Sequence, residues 1–154
     1  VALARDGTDE QKEQASMDLA RLANTNAASK VAIARAGGIA PLVALARGGT
    51  DGQKEAAAGA LAVLADNENR VAIAEAGGIA PLVALARGGT DGEKERAARA
   101  LRNLTANADN KVAVAKAGGI APLVALARHG TDGQQEQAAA ALANLASNSE
   151  NQVA

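Results

Sequence analysis

Apolar residues return along this chain at two nested spacings. Within the segment Ile79-Ala80-Pro81-Leu82-Val83-Ala84-Leu85, the large aliphatics Ile79, Leu82, Val83 and Leu85 stand at i, i+3, i+4 and i+6. That set lines one face of a buried helix. The same face recurs from Ile39 and from Ile120, because the eleven residues 37–47 are repeated without substitution at 77–87 and 118–128. The copies start at Gly37, Gly77 and Gly118, 40 and then 41 residues apart. A period near forty predicts stacked supersecondary units rather than one centre with one active site.

Residues 66–106 show the unit. Asn69-Arg70-Val71-Ala72-Ile73-Ala74-Glu75-Ala76 predicts a short first helix, ended by Gly77 and Gly78. Both glycines are expected to supply the left-handed backbone of a sharp corner. Pro81 falls in the first turn of the second helix, where its missing N–H costs nothing. Arg87 closes that helix as a cation in the last turn, with Gly88 and Gly89 following. Thr90-Asp91-Gly92-Glu93 has the layout of a capping box, repeated at Thr8…Gln11, Thr50…Gln53 and Thr131…Gln134. The third helix then runs through Ala97, Ala100, Leu101 and Leu104 on one face. No window alternates with the period of a strand, so no sheet is expected. Length varies only after the third helix, where Leu22 to Val31 is two residues longer than Leu64 to Val71. Connectors absorb such change and stacked faces do not.

Composition sharpens this picture. The chain is 48% hydrophobic yet holds no Phe, Trp or Tyr, so its interior is built from Ala, Leu, Val and Ile. The usual aromatic anchors of binding hot spots are missing with them. A net charge of −1, from 16 basic and 17 acidic residues, argues against nucleic acid and an anionic membrane surface as partners. No apolar run approaches the ~18 residues a bilayer demands. Absence of cysteine removes disulfide and thiolate chemistry. The first residues, Val1-Ala2-Leu3-Ala4-Arg5, do not have a signal-peptide layout, so a soluble cytoplasmic chain is the expectation. Val1 aligns with Val43 and Ala154 with Ala113, which suggests an excerpt from a longer array or a trimmed one.

Catalysis finds little to work with. His129 is the single imidazole, standing where Gly48 and Gly88 stand in the other copies, and reads as an exposed loop substitution. The segment Gly48-Gly49-Thr50-Asp51-Gly52-Gln53-Lys54 lacks the spacing of a phosphate loop and carries an aspartate that repels phosphate. The carboxylates near Asp66, Glu68 and Asp109 are expected to be solvated in polar loops. No enzyme, cofactor or metal site is expected.

A short helix, a Gly-Gly corner, a medium helix and a long helix in about forty residues resemble the armadillo repeat. Gly-Gly-Ile-Ala-Pro-Leu-Val-Ala-Leu is similar to the family's second helix. Ala100-Leu101-Arg102-Asn103-Leu104 and Ala141-Leu142-Ala143-Asn144-Leu145 are similar to the end of its third. The resemblance covers essentially the whole chain and implies an all-α, right-handed α-solenoid. The expected units are a truncated first repeat at 1–26, repeats at 27–66, 67–107 and 108–148, and the start of another at 149–154.

The resemblance also implies a concave groove, formed by the third helices, that binds extended polypeptide. The family's asparagine, which holds a peptide backbone, has Arg21, Val63, Asn103 and Asn144 at its position here. The family's tryptophan is replaced by Met17, Gly59, Arg99 and Ala140, which removes the indole walls that receive basic side chains. One turn earlier stand Gln14, Ala56, Arg96 and Gln137. The implied groove therefore has a smooth second rung (Ala56, Gly59, Val63), a basic third (Arg96, Arg99, Asn103) and a polar fourth (Gln137, Ala140, Asn144). The third rung is expected to meet a carboxylate or acidic stretch, unless Glu95 neutralises Arg99 across one turn. Three functions stay open: a peptide- or protein-binding module, an engineered or amplified scaffold without a dedicated ligand, and self-association through exposed terminal faces. The last would follow if Val1, Leu3, Leu142 and Leu145 lack neighbours.

Overall fold

The computed structural model describes residues 1–149 and 151 of the 154-residue chain. Those residues form eleven helices joined by turns and no strand. A partial unit comes first, α1 (Ala2–Asp6) and α2 (Asp9–Ala23). Three full units follow: α3 (Ala27–Arg35), α4 (Ile39–Gly48) and α5 (Asp51–Leu64), then α6 (Asn67–Glu75), α7 (Ile79–Gly88) and α8 (Asp91–Leu104), then α9 (Ala108–Lys116), α10 (Ile120–His129) and α11 (Asp132–Ala146). Of the further unit expected at 149–154, residues 150 and 152–154 lie outside the described residues.

Each unit turns a corner between its first two helices, at 80° for α3 and α4, 84° for α6 and α7, and 87° for α9 and α10. Only the first glycine of each corner is left-handed, with φ of +78°, +79° and +78° at Gly37, Gly77 and Gly118. The second is not, contrary to the sequence expectation: Gly78 has φ −74°. Its reason is space. A Cβ on Gly78 would sit 2.7 Å from Ile73 Cγ2 and 2.9 Å from the Ile73 carbonyl oxygen. Corner geometry and corner packing thus demand glycine separately.

The third helices α2, α5, α8 and α11 lie side by side, and each packs on the second helix of its own unit. Between them runs one continuous aliphatic core. Leu42, Leu82 and Leu123 are fully buried from the second helices, Leu61, Leu64, Leu101 and Leu104 from the third. Alanine at Ala57, Ala58, Ala60, Ala97, Ala98 and Ala100 is fully buried too, so small side chains let neighbouring helices close up without voids. The face expected from Ile79, Leu82, Val83 and Leu85 is the buried one. At the far end Leu145 is 2% exposed and Leu142 half-buried, so the expectation that these two side chains lack neighbours is corrected. Leu3 and Leu22 in the first unit are exposed.

The connectors are tied down by polar side chains. Asn69 donates its amide to the Lys30 carbonyl at 3.3 Å, and Asn110 to the carbonyls of Arg70 and Leu104, both at 3.1 Å. Asn151 repeats the pattern onto Lys111 and Leu145 at 3.3 and 3.1 Å. These asparagines recur at the repeat period, Asn69 and Asn110 two residues before the valine of the first helix. Asp66 is not simply solvated as expected: its carboxylate meets Lys30 Nζ at 2.8 Å, linking consecutive units.

Candidate functional site

Every third helix starts on the threonine the sequence marks. Thr8, Thr50, Thr90 and Thr131 accept from the backbone N–H of Gln11, Gln53, Glu93 and Gln134, and those side chains accept from the threonine N–H in return. The box fixes where each helix begins and so which residues point outward three turns later. All twelve expected groove residues fall on these four helices.

The first rung is self-occupied. Gln14 donates to Asp18 at 3.0 Å, and Arg21 meets the same carboxylate at 3.1 Å, leaving Met17 exposed between them. On the second rung Ala56 and Val63 are half-buried and Gly59 is buried, giving an apolar floor. The third rung carries the charge. Arg96 and Arg99 are both exposed and Asn103 is half-buried. Asn103 donates through Nδ2 to the Ala62 carbonyl at 2.8 Å, so part of its amide spans from α8 to α5. On the fourth rung Asn144 does the same onto the Arg102 carbonyl at 3.0 Å. Gln137 accepts from Arg102 at 3.1 Å beside the half-buried Ala140.

The expected Glu95–Arg99 neutralisation gives way to a different pairing. The Glu95 carboxylate lies against Gly133 in the first turn of α11, and the arginine that finds a carboxylate is Arg96, 3.8 Å from Glu55. With both partners near half exposure that pair is worth ~0.5 kcal/mol or less. Arg99 takes no ion pair among the described residues. Glu13, Glu55 and Glu95 each lean across to Gly52, Gly92 and Gly133, the second residue of the next third helix. An anion there is favoured by the helix macrodipole. This glutamate ladder escaped the sequence reading, although its signal was present as a glutamate recurring at the repeat period and a glycine two residues after Thr50, Thr90 and Thr131.

No group of three or more metal-ligating side chains comes together among the described residues. His129 is exposed at the end of α10.

A family model for the Armadillo/beta-catenin-like repeat matches residues 66–106 and 107–147, which is more than half of the chain. The chain belongs to the armadillo repeat family. No curated protein matches it in sequence. Among solved structures, an engineered protein is 36% identical with a TM-score of 0.90, over 95% of this chain and 60% of that one. A crystal structure of computationally designed armadillo repeat proteins for modular peptide recognition is 29% identical with a TM-score of 0.93, over 99% of this chain and 66% of that one. The armadillo repeats only protein of Plasmodium falciparum is 28% identical with a TM-score of 0.77, over 88% of this chain and 61% of that one. The chain thus spans about three fifths of the length of the first engineered structure it matches. The first two of these structures are engineered or designed, and all three share the architecture of this chain, whose eleven-residue copies are identical.

Proposed function

We propose that this armadillo array is a non-enzymatic interaction module that holds extended polypeptide along its third helices. The observation that carries the reading is the third rung. Arg96 and Arg99 project from successive turns of α8, Arg99 without an ion-pair partner among the described residues, beside an asparagine already oriented by the Ala62 carbonyl. Asn103 keeps one N–H and its oxygen for a ligand, enough to accept and donate to one peptide unit at once. Two guanidinium groups with five donors each favour a carboxylate beside it. The neighbours designed for modular peptide recognition support a polypeptide as the partner class.

Without aromatic walls, the binding rests on charge and backbone contact, so it is weak and salt-sensitive. Fluorescence anisotropy with a labelled oligoglutamate peptide tests it. Arg96→Glu with Arg99→Glu is expected to lower affinity at least about tenfold, the order of one lost charge-assisted contact. Unchanged affinity in the double variant contradicts the reading.

A second reading has its own support. The unsubstituted eleven-residue copies and the engineered neighbour at 36% identity fit an array whose selected property is folding, with no dedicated ligand. Absence of saturable binding by any peptide, in a protein that unfolds cooperatively, is what that reading predicts.

A further inference from the structure

Two clefts of about 640 Å³ each lie away from the groove, where second helices end and third helices begin. One joins α4 and α5 to α7 and α8, the other α7 and α8 to α10 and α11. None of the twelve groove positions lines either. The clefts repeat one another, since ten of twelve lining positions carry the same residue in both. Ala80, Pro81 and Leu85 supply apolar surface in the first, and Ala121, Pro122 and Leu126 in the second. An arginine and a lysine line each, Arg47 and Lys54 in the first, Arg87 and Lys94 in the second.

The two positions that differ change the charge in one direction. Gly88 in the first cleft is His129 in the second, and Glu93 is Gln134. In the first, two cations share the cleft with two carboxylates, Asp51 and Glu93. In the second, two cations share it with Asp91 alone, and the His129 imidazole is added. Asp91 is itself engaged, because Gln134 donates to its carbonyl at 3.0 Å and to its carboxylate at 3.2 Å. Arg87 is oriented by the bond it donates to the Gly118 carbonyl at 3.3 Å, which uses one of its five N–H groups. Two separate substitutions thus favour an anion at one of two otherwise matching clefts.

We propose that the cleft lined by Arg87, Lys94 and His129 binds a carboxylate on a short aliphatic body, with the carboxylate at these three side chains and the body on Ala121, Pro122 and Leu126. Arginine and lysine bring charge, and histidine brings an N–H donor. The carbon surface suits a hydrocarbon body and gives a bare inorganic ion nothing to pack against. Asp91 keeps one negative charge nearby, which favours a singly charged carboxylate over a doubly charged phosphate. A free organic acid and the C-terminal end of a polypeptide share this chemistry. The site stands apart from the groove reading, whose residues it does not use.

The test is an amide NMR titration of the full chain with hexanoate, hexanamide and hexylammonium. Hexanoate is expected to give saturable shifts at Ala121, Ala125 and Thr131, and none at Ala80, Ala84 and Thr90 in the neighbouring cleft. Hexanamide, with the same body and no charge, should bind about tenfold weaker or worse, and hexylammonium weaker still. His129→Gly installs the residue of the neighbouring cleft, and Lys94→Gln removes a cation; each should weaken hexanoate by about tenfold. The strongest arm builds a site instead of removing one. A Cβ on Gly88 meets nothing within 4 Å, so the chain has room for Gly88→His. Combined with Glu93→Gln, it should bind a second equivalent of hexanoate, with shifts at Ala80, Ala84 and Thr90. An acetylated Gly-Ser-Leu-Leu peptide with a free C-terminus, set beside its C-terminal amide, separates the two sources. Binding by the free form tighter than by hexanoate assigns the site to a chain end, and weaker binding assigns it to a free acid. No saturable shift with hexanoate overturns the proposal, as does equal binding of hexanamide or hexylammonium. Unchanged affinity in His129→Gly, or no second site in the Gly88→His, Glu93→Gln chain, overturns it as well.

Discussion

Two junctions in this solenoid look alike and a third, between them, does not. Where α5 meets α2, Gln53 turns its amide toward the preceding unit and donates to the Asp9 carbonyl at 3.1 Å and carboxylate at 2.9 Å. Where α11 meets α8, Gln134 donates in the same way to Asp91, at 3.0 and 3.2 Å. Where α8 meets α5, the equivalent residue is Glu93 and the equivalent partner Asp51. Glu93 caps its own helix as well as the glutamines do, accepting from the Thr90 N–H at 3.0 Å. Its other oxygen is buried with no hydrogen-bond partner, in a residue only 2% exposed. Asp51 offers that oxygen a carbonyl and a carboxylate, which accept but do not donate.

One side chain therefore has two jobs in each unit, and glutamate does only one of them. Capping needs an acceptor, which both residues have. Joining needs a donor, which only the amide has. The difference matters for function because the groove is as well defined as the junctions that hold its rungs in register. The weak junction lies between the second and third rungs, where the apolar floor gives way to the arginines.

The largest test of this comparison leaves the polar contacts alone. Leu64 and Leu104 occupy the same fully buried position in successive units. Leu64→Ala and Leu104→Ala should each cost about 2–5 kcal/mol in chemical denaturation, whatever stands at the capping position. A loss below 1 kcal/mol at either would mean the aliphatic core is not what holds units together. Next comes the reversal of the sound junction. Gln134→Glu should cost about 1–3 kcal/mol, since it buries an acceptor against Asp91 and removes two donated bonds. The repair of the weak junction is smaller and of opposite sign, with Glu93→Gln expected to stabilise by about 1 kcal/mol. At the bottom of the scale, Lys54→Ala should stay within ~0.5 kcal/mol, as a surface change that touches no junction bond. A Lys54 effect as large as the glutamine effects would show that general surface charge, not donor geometry, governs the stack.

How much of this could be read from residues alone differs between backbone and side chains. The glycine corners, the four capping boxes and the aliphatic face of Ile79, Leu82, Val83 and Leu85 were legible because each depends on neighbours within a few positions. The expectation for Gly78 failed in its reason while naming the right residue, because contact with Ile73 is a matter of packing and not of dihedral preference. Leu145 was misjudged because its burial is a matter of packing, which an alignment of units does not show. The twelve groove positions, implied by the armadillo resemblance, all fall on the four third helices. Their partners were not implied by it: Arg96 reaches Glu55 and Asn103 reaches Ala62 across distances of about forty residues in sequence. Glutamine and glutamate look interchangeable in a capping box, so the contrast at Glu93 becomes visible only when the preceding unit's Asp51 is in place.

Amide hydrogen exchange, read helix by helix in the unsubstituted chain and in Glu93→Gln, tests the central claim most directly. The account predicts that protection rises in the first turns of α5 and α8 while α2 and α11 stay unchanged. Protection that rises evenly through the stack, or falls at α8, would contradict it.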